Sequence, residues 1–187
     1  MSKKITTPLL RCDALSLKCG ESILLSGEIY TARDAAHMRL FDLLKQGKQL
    51  PFDMKNAIIY YVGPTLAAPG RIIGSAGPTS SYRMDAFTPS LIKHGMTGMI
   101  GKGKRNLKVV EAMKACGAVY FGAIGGAGAL LAQCVKSSEI AAYDDLGAEA
   151  IRKLTVENMP LTVIIDSDGE SLYDEGRKEY LSSQKLQ

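Results

Sequence analysis

Strand-like and helix-like segments alternate through the second half of the chain, and this alternation constrains the fold more than any single motif does. Short apolar strands are predicted at 97–100 and 118–121, each followed by a helix with an apolar face, at 106–115 and 128–135. Such alternation is typical of an α/β layer architecture in which at least part of the sheet is parallel. The segment 161–174 predicts a strand, an Asp-Gly turn and a second strand, which favours a mixed sheet over a purely doubly wound one.

The first half of the chain contains the same kinds of element. A strand is predicted at 23–30, with a β-bulge at Gly27. The helix that follows is predicted to begin after Thr31, because Asp34 three residues later gives a pattern similar to a capping box, and to end near Gly47. Further strands are predicted at 57–62 and 71–77, and a further short helix at 88–93.

The size and hydropathy of the chain limit the classes of protein to which it can belong. Its 187 residues are enough for one sizeable domain and short for two, so we expect a single domain over 1–187, with a polar tail at 177–187 that frays. No apolar run reaches the roughly 18 residues of a membrane-spanning helix, and the amino terminus lacks the apolar segment of a secretory signal. We therefore expect a cytoplasmic protein that does not bind membranes.

Charge and cysteine content argue against two further kinds of site. The net charge of +4 is mild, and the basic residues are scattered apart from a run at 101–105, so nucleic-acid binding is not expected. The four cysteines, at 12, 19, 116 and 134, form no CxxC or CxxxC pair. Neither a zinc site nor a self-contained iron-sulfur site is indicated, and no metal ligands are assigned in this chain.

The helix start at 31–37, TARDAAH, places two candidate ligands four residues apart. Arg33 and His37 then project from the same side of the first helical turns. Arg33 stands at the positive end of the helix, which suits a residue that a carboxylate visits. The alternatives are a solvated arginine or one paired with Asp34, and a histidine that only packs.

The stretch 77–85, GPTSSYRMD, combines hydroxyl groups, an arginine and an acid. If a helix starts after the Gly-Pro turn, Thr79 and Arg83 share one face at the i, i+4 spacing. A guanidinium offers a planar fork to a carboxylate, and a neighbouring hydroxyl can exchange a proton with a bound substrate. Alternatively, Thr79 is a helix N-cap and Arg83 pairs with Asp85 or another local acid. Lys102, between two glycines, is either a charge presented on a turn or a solvated lysine.

Together, TARDAAH, GPTSSYRMD and MIGKG at 99–103 closely resemble the C-terminal region of class I fumarases, or the separate β subunit of two-subunit fumarases and L-tartrate dehydratases. The resemblance extends over nearly the whole chain, through YVGPTLAAPG, GGAGALLA, YDDLGAEAI and VIIDSDGESLY. It implies a swivelling β/β/α-type domain and a hydro-lyase that acts on a small dicarboxylate. It also implies an α subunit that holds a 4Fe-4S cluster through three cysteines, no cofactor bound by this chain alone, and a higher oligomer of αβ units.

Carried over residue by residue, the resemblance assigns roles to individual side chains. Arg33 and Arg83 match arginines that hold the substrate carboxylates, and Lys102 matches a lysine that helps to hold the same ligand. Thr79 matches the threonine proposed as the base that removes the C3 proton of malate. Ser80 departs from the family, which usually has a second threonine there, but keeps the hydroxyl. Supporting roles are assigned to His37, Ser80 and Asp85.

Three functions remain open at this point. The leading one is the β subunit of an iron-sulfur hydro-lyase that reversibly hydrates fumarate to L-malate, a reaction of the tricarboxylic acid cycle. The β subunit of an L-tartrate dehydratase or a mesaconate hydratase is the alternative within the same chemistry. A non-catalytic anion-binding or regulatory domain is the alternative from another class. The presence together of Arg33, Thr79, Arg83 and Lys102 counts against it, because a purely structural domain needs no such set of cations and hydroxyl.

Overall fold

Seven strands form one sheet in the computed structural model, which describes residues 2–184. The strands are β1 (Lys3–Thr6), β2 (Ser22–Thr31), β3 (Ile58–Tyr60), β4 (Gly98–Gly101), β5 (Val119–Gly122), β6 (Val135–Ala142) and β7 (Ile151–Ile165). The order β2-β3-β4-β5-β7 is closed by a second pairing between β7 and β2, so these five strands form a barrel-like sheet. β1 pairs with β2, and β6 pairs with β7. The expected α/β domain with a mixed, partly parallel sheet is confirmed.

The direction of the strands decides where the candidate residues lie. β2, β3, β4 and β5 run parallel to one another, whereas β7 is antiparallel to both β2 and β5. The carboxyl ends of the four parallel strands therefore lie at the same end of the barrel. Parallel α/β sheets and barrels bind their ligands at this end.

Six α-helices and two 3₁₀ segments lie between or after the strands within the described residues. The α-helices are α1 (Arg11–Leu15), α2 (Asp34–Lys45), α3 (Thr88–Lys93), α4 (Leu107–Cys116), α5 (Gly128–Gln133) and α6 (Leu172–Gln184). The 3₁₀ segments span Ser81–Met84 and Asp144–Glu149, and the second is broken by a kink at Gly147. At α4 the local signals are plain: the Asn106 side chain accepts a hydrogen bond from Val109 N (2.9 Å), and Gly117 ends the helix at a φ of 75°. Among residues 2–184, no helix is long and apolar enough to cross a membrane.

Alternate residues of the barrel strands belong to two separate apolar clusters. Ile58 and Tyr60 of β3 lie in one cluster, and Ile59 and the following Tyr61 lie in the other, as the two-residue period of a strand requires. The first cluster takes residues from all five barrel strands and fills the barrel. The second joins the sheet to α2, α3 and α4, so these helices pack against the outside of the barrel.

Several predicted elements are confirmed. The strand predicted at 23–30 lies within β2, and the β-bulge at Gly27 is confirmed by a register shift between Leu25 and Gly27. Gly27 has a φ of 112°, and its backbone lies so close to Thr7 that a Cβ would have no room. The helices predicted at 88–93, 106–115 and 128–135 correspond to α3, α4 and α5.

The strand predicted at 71–77 is wrong. This stretch is loop, and its backbone groups bond locally or to a helix: Gly74 N donates to Thr65 O (3.1 Å), and Ala76 N donates to Gly128 O (3.0 Å). With its amides directed to these partners, the stretch adds no strand to the sheet.

The second strand predicted after the Asp-Gly turn is also wrong. Ser171 forms only an isolated bridge with Ile165, and α6 begins at the next residue, Leu172. The helix runs to Gln184 and includes most of the tail for which fraying was predicted, while residues 185–187 lie outside the described residues. β6 and the first half of β7, which pair with each other, were not predicted.

Candidate functional site

The stretch 79–81 is inserted between the ends of β3 and β4. Thr79 N donates a hydrogen bond to Tyr61 O just beyond β3 (2.7 Å), and Ser81 N donates to Lys102 O just beyond β4 (2.9 Å). These bonds hold the candidate base and the candidate lysine on adjacent segments of backbone. The site therefore depends on the two strands separating at this point.

This extended backbone corrects the prediction that a helix starts at Thr79. Ser80 forms a parallel β-bridge with Lys102, and the helical turn of the motif is the 3₁₀ helix Ser81–Met84. Thr79 and Arg83 therefore do not share a helical face, and Thr79 is not an N-cap. The physical reason is that β3 and β4 offer backbone partners to this stretch, which a helix start would leave unpaired.

Buried hydroxyl groups support the turn that carries Lys102. Lys102 N donates to Ser81 Oγ (3.1 Å), and Ser81 Oγ lies 2.9 Å from the hydroxyl of Tyr120. The Tyr120 hydroxyl donates to Gly103 O (3.0 Å), so Ser81 is the donor to Tyr120. Gly101 is needed beneath this network, because a Cβ there would lie 2.0 Å from Ser81 Oγ. The backbone around Lys102 is thus fixed while its side chain is exposed.

The Lys102 side chain extends toward the loop that follows β5. A Cβ placed on Gly125 would lie 3.9 Å from Lys102 Nζ. Among the described side chains, no ion pair involves Lys102. Its ammonium group can therefore receive an anion without breaking an ion pair with a described side chain.

Arg33 lies at the amino terminus of α2 and pairs with an acid from a distant part of the chain. Its Nη2 is 3.2 Å from Glu149 Oε1, and both side chains are about three-quarters buried. Glu149 Oε2 accepts a hydrogen bond from Ala35 N (3.1 Å), one of the helix amides without an intrahelical partner. The alternative in which Arg33 pairs with Asp34 is wrong, because the ion-pair partner of Arg33 is Glu149.

Arg83 pairs with Asp34 rather than with Asp85. Arg83 Nε lies 3.2 Å from Asp34 Oδ2, with 46% of the arginine side chain exposed. The ion pair joins the 77–85 motif to the start of α2. Asp34 Oδ1 is buried and has no hydrogen-bond partner in the described part of the chain.

Thr31 does not form the predicted capping box. Thr31 is the last residue of β2, and its Oγ1 donates to Ala150 O (3.3 Å) and accepts from Arg152 N (3.0 Å). The N-cap of α2 is Arg33, whose side chain makes no cap hydrogen bond. Glu149 replaces the missing cap because the linker between β6 and β7 brings its carboxylate to the helix terminus.

His37 is fully buried beside the site. Its Nδ1 lies 2.9 Å from Arg33 O and donates to it, and its ring makes an edge contact with Tyr61 (5.2 Å between centroids). Burial lowers the pKa of His37 to about 4. The imidazole is therefore neutral at pH 7, and its Nδ1–H group holds the carbonyl of Arg33 by a hydrogen bond.

Asp85 belongs to a buried ion pair that sequence reasoning missed. Arg105 Nε donates to Asp85 Oδ1 (2.6 Å), and Asn106 N donates to Asp85 Oδ2 (2.7 Å). The Arg105 guanidinium also lies 5.2 and 5.1 Å from the ring centroids of Tyr61 and Tyr120. The pair ties the end of the 77–85 motif to the loop after β4. In the sequence, Arg105 is only part of a basic run, which indicates a solvated turn.

Taken together, the structure gathers the three motifs at the carboxyl ends of β2, β3 and β4. Two of the cations there are paired with protein carboxylates, and the third is unpaired among the described side chains. The described residues contain no group of three or more His, Cys, Asp or Glu side chains that could hold a metal ion. The motifs thus bring two arginines and a lysine to one end of the barrel, and the described side chains there do not fit a metal cluster.

Comparison with known proteins gives the site a context. Residues 3–176 match the family described as Fumarase C-terminus. A protein of Methanocaldococcus jannaschii, which bears the provisional name L(+)-tartrate dehydratase subunit beta, is 38% identical over 177 residues, 91% of this chain and 91% of that protein.

Two fumarate hydratases are similar over a smaller share of their own length. The anaerobic class I fumarate hydratase of Escherichia coli is 40% identical over 153 residues, which are 81% of this chain but 28% of the enzyme. The mitochondrial fumarate hydratase 1 of Leishmania major is also 40% identical over 153 residues, with the same shares. The chain thus spans nearly all of the first relative and 28% of these two.

Proposed function

Because the chain belongs to the Fumarase C-terminus family, we propose that it is the β subunit of a two-subunit hydro-lyase, and that the complex reversibly hydrates fumarate to L-malate in the cytoplasm. The observation that carries this proposal is the meeting of the 31–37, 77–85 and 99–103 motifs at one end of the barrel. A partner subunit is supported by the provisional name of the M. jannaschii relative, which calls that protein a subunit beta.

The two arginines and the lysine would hold the substrate carboxylates. Arg33 and Arg83 are already bound to Glu149 and Asp34, so each guanidinium sits where a carboxylate can reach it. A guanidinium carries five N–H donors, and one ion pair leaves donors free for a second carboxylate. Lys102 would supply a third positive charge to the same dianion.

Thr79 would exchange the C3 proton. In dehydration of L-malate, the C3–H bond breaks, its electrons form the C2–C3 double bond, and the C2 hydroxyl leaves as water. Thr79 Oγ1 would receive the C3 proton, while the partner subunit would protonate the leaving hydroxyl. A threonine hydroxyl is a poor base, so this role requires nearby cations that lower its pKa. The β-bridge between Ser80 and Lys102 supports such a role, because it holds Ser80, the residue next to Thr79, beside Lys102.

The remaining parts of the enzyme are proposed to lie in an α subunit. That subunit would hold the 4Fe-4S cluster, and αβ units would assemble into a higher oligomer. Since the described residues of this chain fit no metal cluster, no step is assigned to a cluster on this chain. His37, Ser80 and Asp85 would act only by supporting the site.

A tartrate dehydratase is the second candidate function. It is favoured by the 91% coverage of both chains in the match to the M. jannaschii protein. Dehydration of L-tartrate needs the same clamps for two carboxylates and differs in the second hydroxyl of the substrate. Mesaconate hydration needs room for an additional methyl group.

The test is reconstitution of the whole enzyme. This chain should be co-expressed with the neighbouring open reading frame, the cluster rebuilt without oxygen, and the complex assayed with fumarate, L-tartrate and mesaconate. We expect the complex to prefer fumarate and each subunit alone to be inactive. Activity of this chain alone, or a complex that hydrates or dehydrates none of the three, would contradict the proposal. Binding of dicarboxylates without turnover would indicate the non-catalytic anion-binding domain.

A further inference from the structure

Glu149 contacts two parts of the 31–37 motif at once. One carboxylate oxygen lies 3.2 Å from Arg33 Nη2, and the other accepts the hydrogen bond from Ala35 N at 3.1 Å. A carboxylate is favoured at a helix amino terminus, where free N–H groups and the helix dipole are both positive. Glu149 is therefore held in place by α2 as well as by the arginine.

The Arg33 side chain lies between Glu149 and the backbone that follows β3. A Cβ on Gly63 would be 3.0 Å from Arg33 Cδ and 3.1 Å from Nη1, so the absence of a side chain at Gly63 makes room for the arginine. Arg33 Nε is buried and has no hydrogen-bond partner among the described residues. Glu149 thus engages one corner of the guanidinium and leaves another donor without a partner.

The segment that carries Glu149 is itself fixed to the scaffold. Asp145, on the far side of a break in the 3₁₀ segment at Gly147, forms two hydrogen bonds with Arg39 of α2 (2.8 and 2.5 Å). At the other end, Ala150 O accepts from Thr31 Oγ1 (3.3 Å). The bond to Ala150 O and the bond from Ala35 N place the Glu149 carboxylate independently of Arg33, whereas the Asp145–Arg39 pair lies beyond the break at Gly147.

We propose that Glu149 is the positioning residue for Arg33, holding one edge of the guanidinium so that another edge faces a substrate carboxylate. This inference rests on the proposed function, in which Arg33 binds that carboxylate. An arginine has several rotatable bonds, and orienting it before the ligand arrives reduces the entropy lost on binding. Glu149 acts through Arg33 and need not touch the substrate.

The test compares two charge-neutralising substitutions in the segment 144–149, one on each side of the break at Gly147, in the reconstituted complex. Glu149→Gln keeps the shape and an acceptor for Ala35 N but removes the charge that holds Arg33. Asp145→Asn is the matched control, since it weakens the Arg39 contact and leaves Arg33 untouched. We expect Glu149→Gln to raise KM for the dicarboxylate about tenfold, or ~1.4 kcal/mol, with little change in kcat, and Asp145→Asn to leave both constants unchanged.

A double-mutant cycle separates positioning from a general structural role. If Glu149 acts through Arg33, Glu149→Gln should change KM little in an Arg33→Ala background. If Glu149→Gln does not fold, Glu149→Asp, which keeps the charge but shortens the side chain, should raise KM in the same way. Kinetics equal to those of Asp145→Asn, additive effects in the cycle, or a lower KM would overturn the inference. An inactive unmodified complex would instead overturn the proposed function, and the role of Glu149 with it.

Discussion

Arg83 Nε lies 3.2 Å from Asp34 Oδ2, so an arginine of the GPTSSYRMD motif is paired with an acid of the TARDAAH motif. The two motifs follow different parallel strands, and this ion pair joins them at one end of the barrel. Arg33 is paired in the same manner with Glu149. Arg33 and Arg83, the two arginines proposed to bind the substrate, thus each have a protein carboxylate beside them. A bound substrate must share or replace that carboxylate.

Arg83→Ala should weaken substrate use without unfolding the protein. We expect kcat/KM of the complex to fall by about tenfold to a hundredfold, in line with the roughly 1.5–3 kcal/mol of a charge-assisted hydrogen bond. The side chain is 46% exposed, so the thermal midpoint should change little. Arg39→Ala is the control, because Arg39, with 39% of its side chain exposed, is likewise paired with an acid, Asp145. If Arg83→Ala and Arg39→Ala have the same kinetics, Arg83 is only a structural ion-pair residue.

Thr79→Val should reduce turnover more than substrate affinity. Valine has nearly the shape of threonine but no hydroxyl, and loss of a positioned proton-transfer group costs on the order of 10²–10⁴ in rate. The backbone bond from Thr79 N to Tyr61 O is retained, so the loop should keep its place. Thr79→Ser, which keeps the hydroxyl, is expected to retain much of kcat. A rise in KM with kcat unchanged would remove Thr79 from the proton-transfer step.

Lys102→Ala should raise KM for the dicarboxylate, because it removes a cation whose partner would be the substrate. The comparison is with Lys104→Ala, two residues away, whose ammonium is already paired with Asp174 (2.7 Å). Steady-state kinetics of the two complexes at several salt concentrations measure the difference. We expect the Lys102 variant alone to lose affinity, and the loss to be larger at low salt. Equal effects of the two substitutions would show that Lys102 is an ordinary surface lysine.

Stability should depend on pH through His37. Its pKa is lowered by burial to about 4 from an ordinary value of 6.5, so between these values the unfolded chain binds a proton that the folded chain does not. The free energy of unfolding should therefore fall as the pH is lowered from about 6.5 to about 4, by on the order of 3 kcal/mol from this group. Urea unfolding of the wild type across this range measures it.

Two variants isolate the histidine responsible. His37→Asn keeps an amide that can donate to Arg33 O, and it should remove most of this pH dependence. His94→Asn is the matched control: His94 makes the same Nδ1 contact, to Ser90 O at 2.9 Å, but solvent reaches its ring. A pH dependence that survives His37→Asn would contradict the assignment.

Much of the fold could be predicted because its signals are local. The bulge at Gly27, the helix at 106–115 and the alternation of short strands with helices each depend on residues close together in the chain. The errors occur where a distant partner competes with a local pattern. Thr31 was predicted to cap α2, but its hydroxyl is hydrogen-bonded to the backbone of Ala150 and Arg152. Thr79 was predicted to start a helix, but its backbone N–H is hydrogen-bonded to Tyr61 O at the end of β3.

The candidate site was predictable in its residues and not in its contacts. Arg33, Thr79, Arg83 and Lys102 were identified from motifs and from resemblance to a family, and their roles stay predictions. Arg105 could not be found, since a basic run gives no sign that one of its members is buried against Asp85 and two tyrosine rings. An ion pair between distant segments depends on topology, which a short motif does not encode.

By itself, the sequence determined the class of the fold, the position of most helices and strands, and the family, because periodicity and motif spacing are properties of neighbouring residues. Only the tertiary structure decided that β7 closes the barrel by pairing with both β2 and β5. It also decided that Glu149 and Asp34, rather than other acids, face the two arginines. These outcomes depend on contacts between residues far apart in the chain, whose partners are selected by the packing of the whole sheet.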